Sequence, residues 1–445
     1  MMKIFEEYSI RNLSLRNRIV MPPMCSWSAD GSGLVNPKHF VHYVTRAVGG
    51  VGLIIVEATA VSPEGRIRPE DLGIWNDAQG NSFKELVDYC HQYGARMASQ
   101  IAHAGRKGYD RANIVAPSPL AFSDDYGIPH ELTRREILQK VEEFKAAAVR
   151  AVRAGFDMIE VHAAHGYLIH EFLSPLTNRR TDEFGGSLEN RVRFLRLILE
   201  GIRETIPENI PLDIRVSASD YTAGGIDVHE MVNIIRQVKR YLDLVHVSSG
   251  GLTENLAKAF PGYQVEFSRI IREQCGIPTI AVGLIDTPNL AEEIIRNGHA
   301  DLVALGRTLL RNPYWALNAA HSRQLDSFVP NVVFKYDPTE EITDAVLYAA
   351  DGKKYICESA VRFPDKEASS SLQPTDLLTP MERSILHEIA LSKTTKEIAW
   401  EKNLSFHTVN THRKNIFRKL KVNNVHEAIR YAVCAGIIEQ IEYIY

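Results

Sequence analysis

The stretch Met158-Ile159-Glu160-Val161-His162-Ala163-Ala164-His165-Gly166-Tyr167 sets the pattern for the first three hundred residues. A short, largely apolar run passes directly into a polar end that carries two histidines and a tyrosine. Seven further runs of this kind occur: Ile19–Met21, Gly52–Val56, Arg96–Ile101, Leu212–Val216, Leu244–Val247, Pro278–Val282 and Leu302–Leu305. Amphipathic segments such as Glu142–Ala154, Asn190–Ile206, Val228–Tyr241 and Leu290–Asn297 lie between them. Strands that are apolar along their length are buried on both faces, as in a parallel sheet covered by helices. Eight such units in a row predict a closed TIM (β/α)8 barrel in an α/β chain, with an open doubly wound sheet as the alternative. No Gly-x-Gly-x-x-Gly follows the first strand, which argues against a dinucleotide-binding Rossmann unit.

The length of 445 residues leaves room for a small second domain beside such a barrel. Apolar residues make up 45% and charged residues 24%, which excludes a disordered, collagen-like or coiled-coil chain. No run of eighteen apolar residues is present, so a membrane span is not expected. The N-terminal residues have no apolar core of a secretory signal. Five scattered cysteines without a Cys-x-x-Cys pair argue against a disulfide framework or zinc site, and a reducing cytoplasm is expected.

Barrel chemistry gathers at the C-terminal ends of the strands. Those ends read Pro22-Pro23-Met24-Cys25, Glu57-Ala58, Gln100 through Lys107, His162 through Tyr167, Arg215, Ser248-Ser249-Gly250, Gly283 and Gly306-Arg307. Arg215 inside a strand is either a structural ion pair or a cation facing an electron-rich ligand. Gly283, Gly306 and Arg307 are plain turn residues or a phosphate cradle. His162 and His165 lack a third ligand for a metal and fit better as donors to a carbonyl or anion. Tyr167 is a packed aromatic or a proton donor, and Cys25 a small buried hydrophobe or a cofactor contact.

Met21 through Cys25, Gln100 through Lys107, His162 through Leu168 and Phe172 through Ser187 together resemble the old yellow enzyme family, over about residues 3–325. Cys25 and the histidine doublet are similar to its bacterial, NADPH-using, thermophilic-like ene-reductase branch. The resemblance implies non-covalent FMN lined by Pro23, Met24, Cys25, Ala58, Gln100, Arg215, Ser249, Gly283, Gly306 and Arg307. It implies that His162 and His165 hold an enone oxygen, that Tyr167 supplies a proton, and that Trp27 and Lys107 lie at the substrate. NADPH would be the hydride donor. Two departures stand out: Trp27 replaces a usual tyrosine, and Phe334 through Pro338 lacks the arginine of the branch's usual tail.

From Leu378 the character changes. Leu378-Thr379-Pro380-x-Glu382-Arg383 predicts a capped helix, Thr394–Lys402 a second, and a third runs to Leu420 after Asn403-Leu404-Ser405. Five basic residues and no acidic one lie between His412 and Lys421. The charge run alone fits any solvated helix, whereas a cationic helix after a tight turn suggests recognition of DNA. The order of residues resembles the LuxR/NarL-type helix-turn-helix domain and implies DNA contacts by Thr408, Val409, His412, Arg413, Asn415 and Lys419. The segment between resembles the end of a receiver domain. The expected organisation is therefore a barrel over 1–328, a receiver-like remnant over 329–374 and a DNA-binding domain over 375–445. The expected partners are a small enone, double-stranded DNA and further copies of the chain. A regulator that uses the barrel only as a redox or ligand sensor is the competing reading.

Overall fold

The computed structural model describes residues 2–321 except 256, and 378–420 except 391, 392, 394 and 403. The chain divides into two compact units, Met1–Lys335 and Tyr336–Tyr445. The receiver-like segment and the Phe334–Pro338 stretch fall outside the described residues.

The first unit is the expected barrel. Its strands are β1 (Ile19–Met21), β2 (Leu53–Ala60), β3 (Arg96–Ala102), β4 (Met158–Ala163), β5 (Leu212–Ser217), β6 (Leu244–Ser248), β7 (Thr279–Val282) and β8 (Leu302–Ala304). They form one closed barrel in chain order, every pair parallel, with β8 returning to β1. Alternation decides which side chains face which layer. Ile214 and Val216 of β5 join the shell of helices outside, whereas Asp213, Arg215 and Ser217 take the intervening positions. At the N-terminal end the interior is apolar, filled by Val20, Leu53, Ala98, Met158, Leu244, Ile280 and Leu302. A hairpin of Tyr8–Ile10 and Leu13–Leu15 plugs that end.

Several strands run further into their polar ends than apolar character predicts. β2 continues to Ala60, β4 to Ala163 and β6 to Ser248. The polar residues there are buried and hydrogen-bonded to neighbouring loops and elements, so the ladder need not stop.

In the second unit the described residues begin at Leu378. Helix Pro380–Ala390 opens with a reciprocal cap: Glu382 N–H donates to Thr379 Oγ1 at 3.3 Å, and Thr379 N–H donates to Glu382 Oε2 at 2.8 Å. Helices Thr395–Glu401 and Phe406–Leu420 follow. Ser405 caps the last by accepting from Thr408 N–H at 3.1 Å. Ile385, Leu386, Ile389, Ile398, Val409, Ile416 and Leu420 make this unit's own core.

Candidate active site and nucleic-acid interface

Backbone strain marks the C-terminal rim of the barrel before any side chain does. Among the described residues, five non-glycine residues have left-handed φ. Four of them, Trp27, His165, Tyr221 and Leu284, lie on the loops after β1, β4, β5 and β7. Such conformations persist where surrounding structure enforces them, and they cluster at functional sites.

The loop after β4 shows what enforces one of them. His165 has φ +58° and Gly166 φ +71°. A Cβ on Gly166 would lie 2.3 Å from the Gly251 carbonyl oxygen, and one on Gly251 would lie 2.7 Å from His165 Cα. The loops after β4 and β6 therefore pack backbone against backbone, which only glycine permits. Lys107 ties them together, its Nζ donating to the carbonyls of His165 and Gly251, each at 3.0 Å. From below, His170 Nδ1 accepts the Gly166 N–H at 2.9 Å, and its other nitrogen pairs with buried Asp220 at 2.9 Å.

The two histidines lie side by side. Nδ1 of His162 accepts the Ala164 N–H at 3.2 Å, which leaves the proton on Nε2. That nitrogen lies 3.4 Å from His165 Nδ1, and His165 Nε2 lies 2.8 Å from Ser248 Oγ. Burial, reinforced by the Arg215 charge, pulls His162 down to about 3 and His165 well below the ordinary range. Both are neutral at physiological pH. The Tyr167 ring stands edge-on to His162 at 5.0 Å between centroids. Burial pushes its phenol far above its usual value, so it keeps its proton.

Arg215 is buried, and its Nη1 donates to the Pro23 carbonyl at 3.3 Å. Its Nε has no partner among the described residues. An orphaned guanidinium N–H beside the Pro23–Cys25 strand end suits an electron-rich ring edge, so these residues fit a flavin. Gly306 lies against Met24 and Pro22, a Cβ there falling 3.5 Å from Met24 Sδ. Gln100 is brought to the same interior, donating to Glu160 at 2.7 Å. Cys25 is a thiol rather than a thiolate, because burial pushes it up, with Asp71 and Glu57 adding to the effect. Glu57, at the turn of β2, holds the loop that carries Cys25: it accepts from Ser26 Oγ at 3.1 Å and Tyr43 Oη at 2.9 Å.

Other expected residues have different surroundings. The Ser249 hydroxyl donates to Gln264 and accepts from Tyr221, so its side chain is occupied within the loops. Trp27 is exposed and stacks with Arg68, whose guanidinium carbon is 3.8 Å from the ring centroid. Arg307 is exposed in the first turn after β8, with Gly283 at the end of β7. Sequence reading placed Glu57 and Ser248 at the rim without a role and passed over Gln264, His170 and Asp220. Polarity was the only signal, and polarity alone does not distinguish a rim contact from a loop tether.

In the second unit, the exposed residues of helix Phe406–Leu420 include His407, Thr408, Thr411, Lys414 and Arg418, and Asn415 is half-buried beside them. One expected contact needs correction. Val409 is fully buried in the core, so it cannot meet a base edge. Lys419 pairs with Glu382 at 2.7 Å, an ion pair that joins two helices of the unit. His412 and Arg413 are half-buried at the flank of the exposed face.

A closed barrel whose rim gathers neutral donors and a buried guanidinium has the character of a redox protein in which a bound cofactor carries the electrons. Residues 3–326 match the NADH:flavin oxidoreductase / NADH oxidase family, and residues 376–432 match the bacterial regulatory proteins of the luxR family. The NADPH dehydrogenase of Clostridium acetobutylicum is 53% identical over 332 residues, covering 74% of this chain and 98% of that protein. The NADPH dehydrogenase of Bacillus subtilis is 48% identical over 330 residues, covering 74% of this chain and 96% of its own. Among solved structures, morphinone reductase superimposes with a TM-score of 0.62 at 30% identity, covering 71% of this chain and 90% of that one. A 2-naphthoyl-CoA reductase gives a TM-score of 0.70 at 25% identity, covering 74% of this chain and 53% of that one. The chain belongs to the NADH:flavin oxidoreductase / NADH oxidase family: it is an FMN-dependent oxidoreductase that carries a luxR-type helix-turn-helix domain. No described helix is long and apolar enough to cross a membrane.

Proposed function

We propose that the barrel reduces the C=C bond of α,β-unsaturated carbonyl compounds at the expense of NADPH, and that the second unit binds double-stranded DNA. The observation that carries the first part is the meeting of neutral His162, neutral His165 and protonated Tyr167 on one rim with Arg215. The NADPH dehydrogenase relatives support the reductant. Bound FMN supplies the chemistry of accepting a hydride from NADPH and passing one to the β-carbon of the acceptor.

The residues of the chain do the rest. A carbonyl oxygen entering between the imidazoles receives the Nε2–H of His162. Ser248 either accepts from or donates to His165 Nε2, and when it donates, His165 presents an Nδ1–H to the same oxygen. Two oriented donors stabilise charge developing there, each contributing on the order of 10²–10³ in rate. Tyr167 delivers its proton to the α-carbon. Arg215, Gln100, Pro23, Met24, Cys25, Ala58, Gly283, Gly306 and Arg307 would hold the flavin, with Trp27 at the mouth. Lys107 acts by fixing His165.

The exposed Thr408, Thr411, Lys414 and Arg418, with half-buried Asn415 beside them, would face the DNA, lysine and arginine to phosphates and the others to base edges. We assign 1–328 to the barrel, 329–374 to a junction and 375–445 to the DNA-binding domain, in keeping with the two compact units. The presence of a DNA-binding unit favours a second reading, in which the barrel senses redox state or ligand with little turnover. Steady-state NADPH oxidation with 2-cyclohexenone separates the two. Sustained turnover that forms cyclohexanone supports the reductase, and a single stoichiometric oxidation supports the sensor.

A further inference from the structure

Beneath the rim lies a buried polar layer that the chemistry above does not use. Glu160 of β4, Asp213 of β5 and His246 of β6 are fully buried, and a ligand-type atom from each lies within 4.8 Å of the others. Gln100 Nε2 donates to Glu160 Oε1 at 2.7 Å, and His246 Nδ1 lies 2.7 Å from Glu160 Oε2. Two N–H groups thus hold Glu160 as the anion. Among the described residues, no side-chain donor reaches either oxygen of Asp213. Among them His246 Nε2 has no partner either, which fits a neutral ring carrying its proton on Nδ1. Arg215 sits in register between His162 and His246, two residues along β5 from Asp213.

Two charged carboxylates side by side in the buried interior would repel strongly, and the ordinary resolution is a proton held by one of them. Burial and then Glu160 push Asp213 well above the usual carboxylate range. Burial opposes the charge on Glu160 as well, but His246 and Arg215 outweigh it and hold that carboxyl low. A metal ion is a poor fit, since Glu160 already accepts two N–H groups and a guanidinium stands beside it.

We propose that Glu160 and Asp213 hold one proton between them, resident on Asp213, and that the single negative charge left on Glu160 offsets that of Arg215. Glu160 is then a positioning residue that lowers the reduction potential Arg215 alone would confer. This rests on the reading that Arg215 faces FMN. Reduction adds negative charge to the flavin, so removing the Glu160 charge makes reduction easier.

Dye-equilibrated reductive titration of the holoenzyme tests this. Glu160→Gln should favour reduction at least tenfold in the two-electron equilibrium, about 30 mV. Asp213→Asn, a neutral near-isostere, should leave the equilibrium within threefold of the unaltered protein. Arg215→Met should disfavour reduction. If Arg215→Met does so while Glu160→Gln changes nothing, the inference fails and the reading of Arg215 stands. If Arg215→Met changes nothing either, the reading of Arg215 fails and takes the inference with it. The unaltered protein gives an independent answer that holds even where Glu160→Gln does not fold. Its reduced-minus-oxidised infrared difference spectrum should contain a protonated-carboxyl stretch that Asp213→Asn removes. Absence of that band overturns the proposal.

Discussion

The ammonium of Lys107 donates to the main-chain carbonyl of His165 across 3.0 Å, while His165 itself is held in the left-handed region. A side chain expected at the substrate instead secures the loop that presents a substrate donor. Lys107→Met keeps much of the stem packing and removes the tie. It should slow reoxidation of the reduced protein by 2-cyclohexenone about tenfold or more, since small misplacements of reacting groups are costly. Flavin reduction by NADPH should change little. Equal effects on the two half-reactions, resolved by stopped flow, would show Lys107 acting elsewhere.

Tyr167→Phe removes the proposed proton donor and leaves the ring beside His162. The enone half-reaction should slow by roughly 10²–10⁴, the usual worth of a positioned general acid. Reduction by NADPH, which needs no such proton, should stay within a few-fold.

The pH dependence of stability contains a contribution from Glu171. This residue is fully buried and accepts the Arg106 N–H at 3.0 Å. Burial pushes its carboxyl up to about 8, against the pull of Arg106 and Lys107. A raised carboxyl binds its proton in the folded state where the unfolded chain has released it. Its contribution is therefore complete below about 4.5 and is lost as pH rises through about 8. Glu171→Gln should flatten this part of the profile, so that the barrel's Tm falls less between pH 5 and pH 8 than in the unaltered protein. Identical slopes in thermal melts would assign the dependence to other groups.

Lys414 and Lys419 should behave differently on DNA. Lys414 is exposed, and its replacement by alanine should reduce the log–log salt slope of DNA binding by about one, as for one lost phosphate contact. Lys419→Ala should leave the slope unchanged and destabilise the second unit by about 1–3 kcal/mol, because Glu382 loses its charged partner. Titrations of full-length protein into duplex DNA at several salt concentrations, with urea melts of the same variants, measure both effects.

The barrel was legible because its signal is repetitive. Eight apolar runs with intervening amphipathic helices leave few architectures, and the polar ends after β3 and β4 show where the rim lies. Glu160 and Asp213 were not legible as a pair. They lie 53 positions apart in sequence and become neighbours only through the register of β4 with β5. Val409 and Lys419 show a different limit. Both sit on the helix that carries the positive charge, but burial and an ion pair with a residue 37 positions earlier decide what they do. Helical periodicity puts Val409 on one stripe with Ile416 and Leu420, but it does not foresee the partner of Lys419.

The central claim is that the barrel turns over an activated alkene. Its most direct test is anaerobic: the protein is reduced with one equivalent of NADPH and then mixed with excess 2-cyclohexenone while the flavin band is followed. The account predicts return of the oxidised flavin spectrum with one cyclohexanone formed per flavin, and a markedly slower return in Tyr167→Phe. A flavin that stays reduced in the presence of the enone, with no cyclohexanone formed, would contradict it.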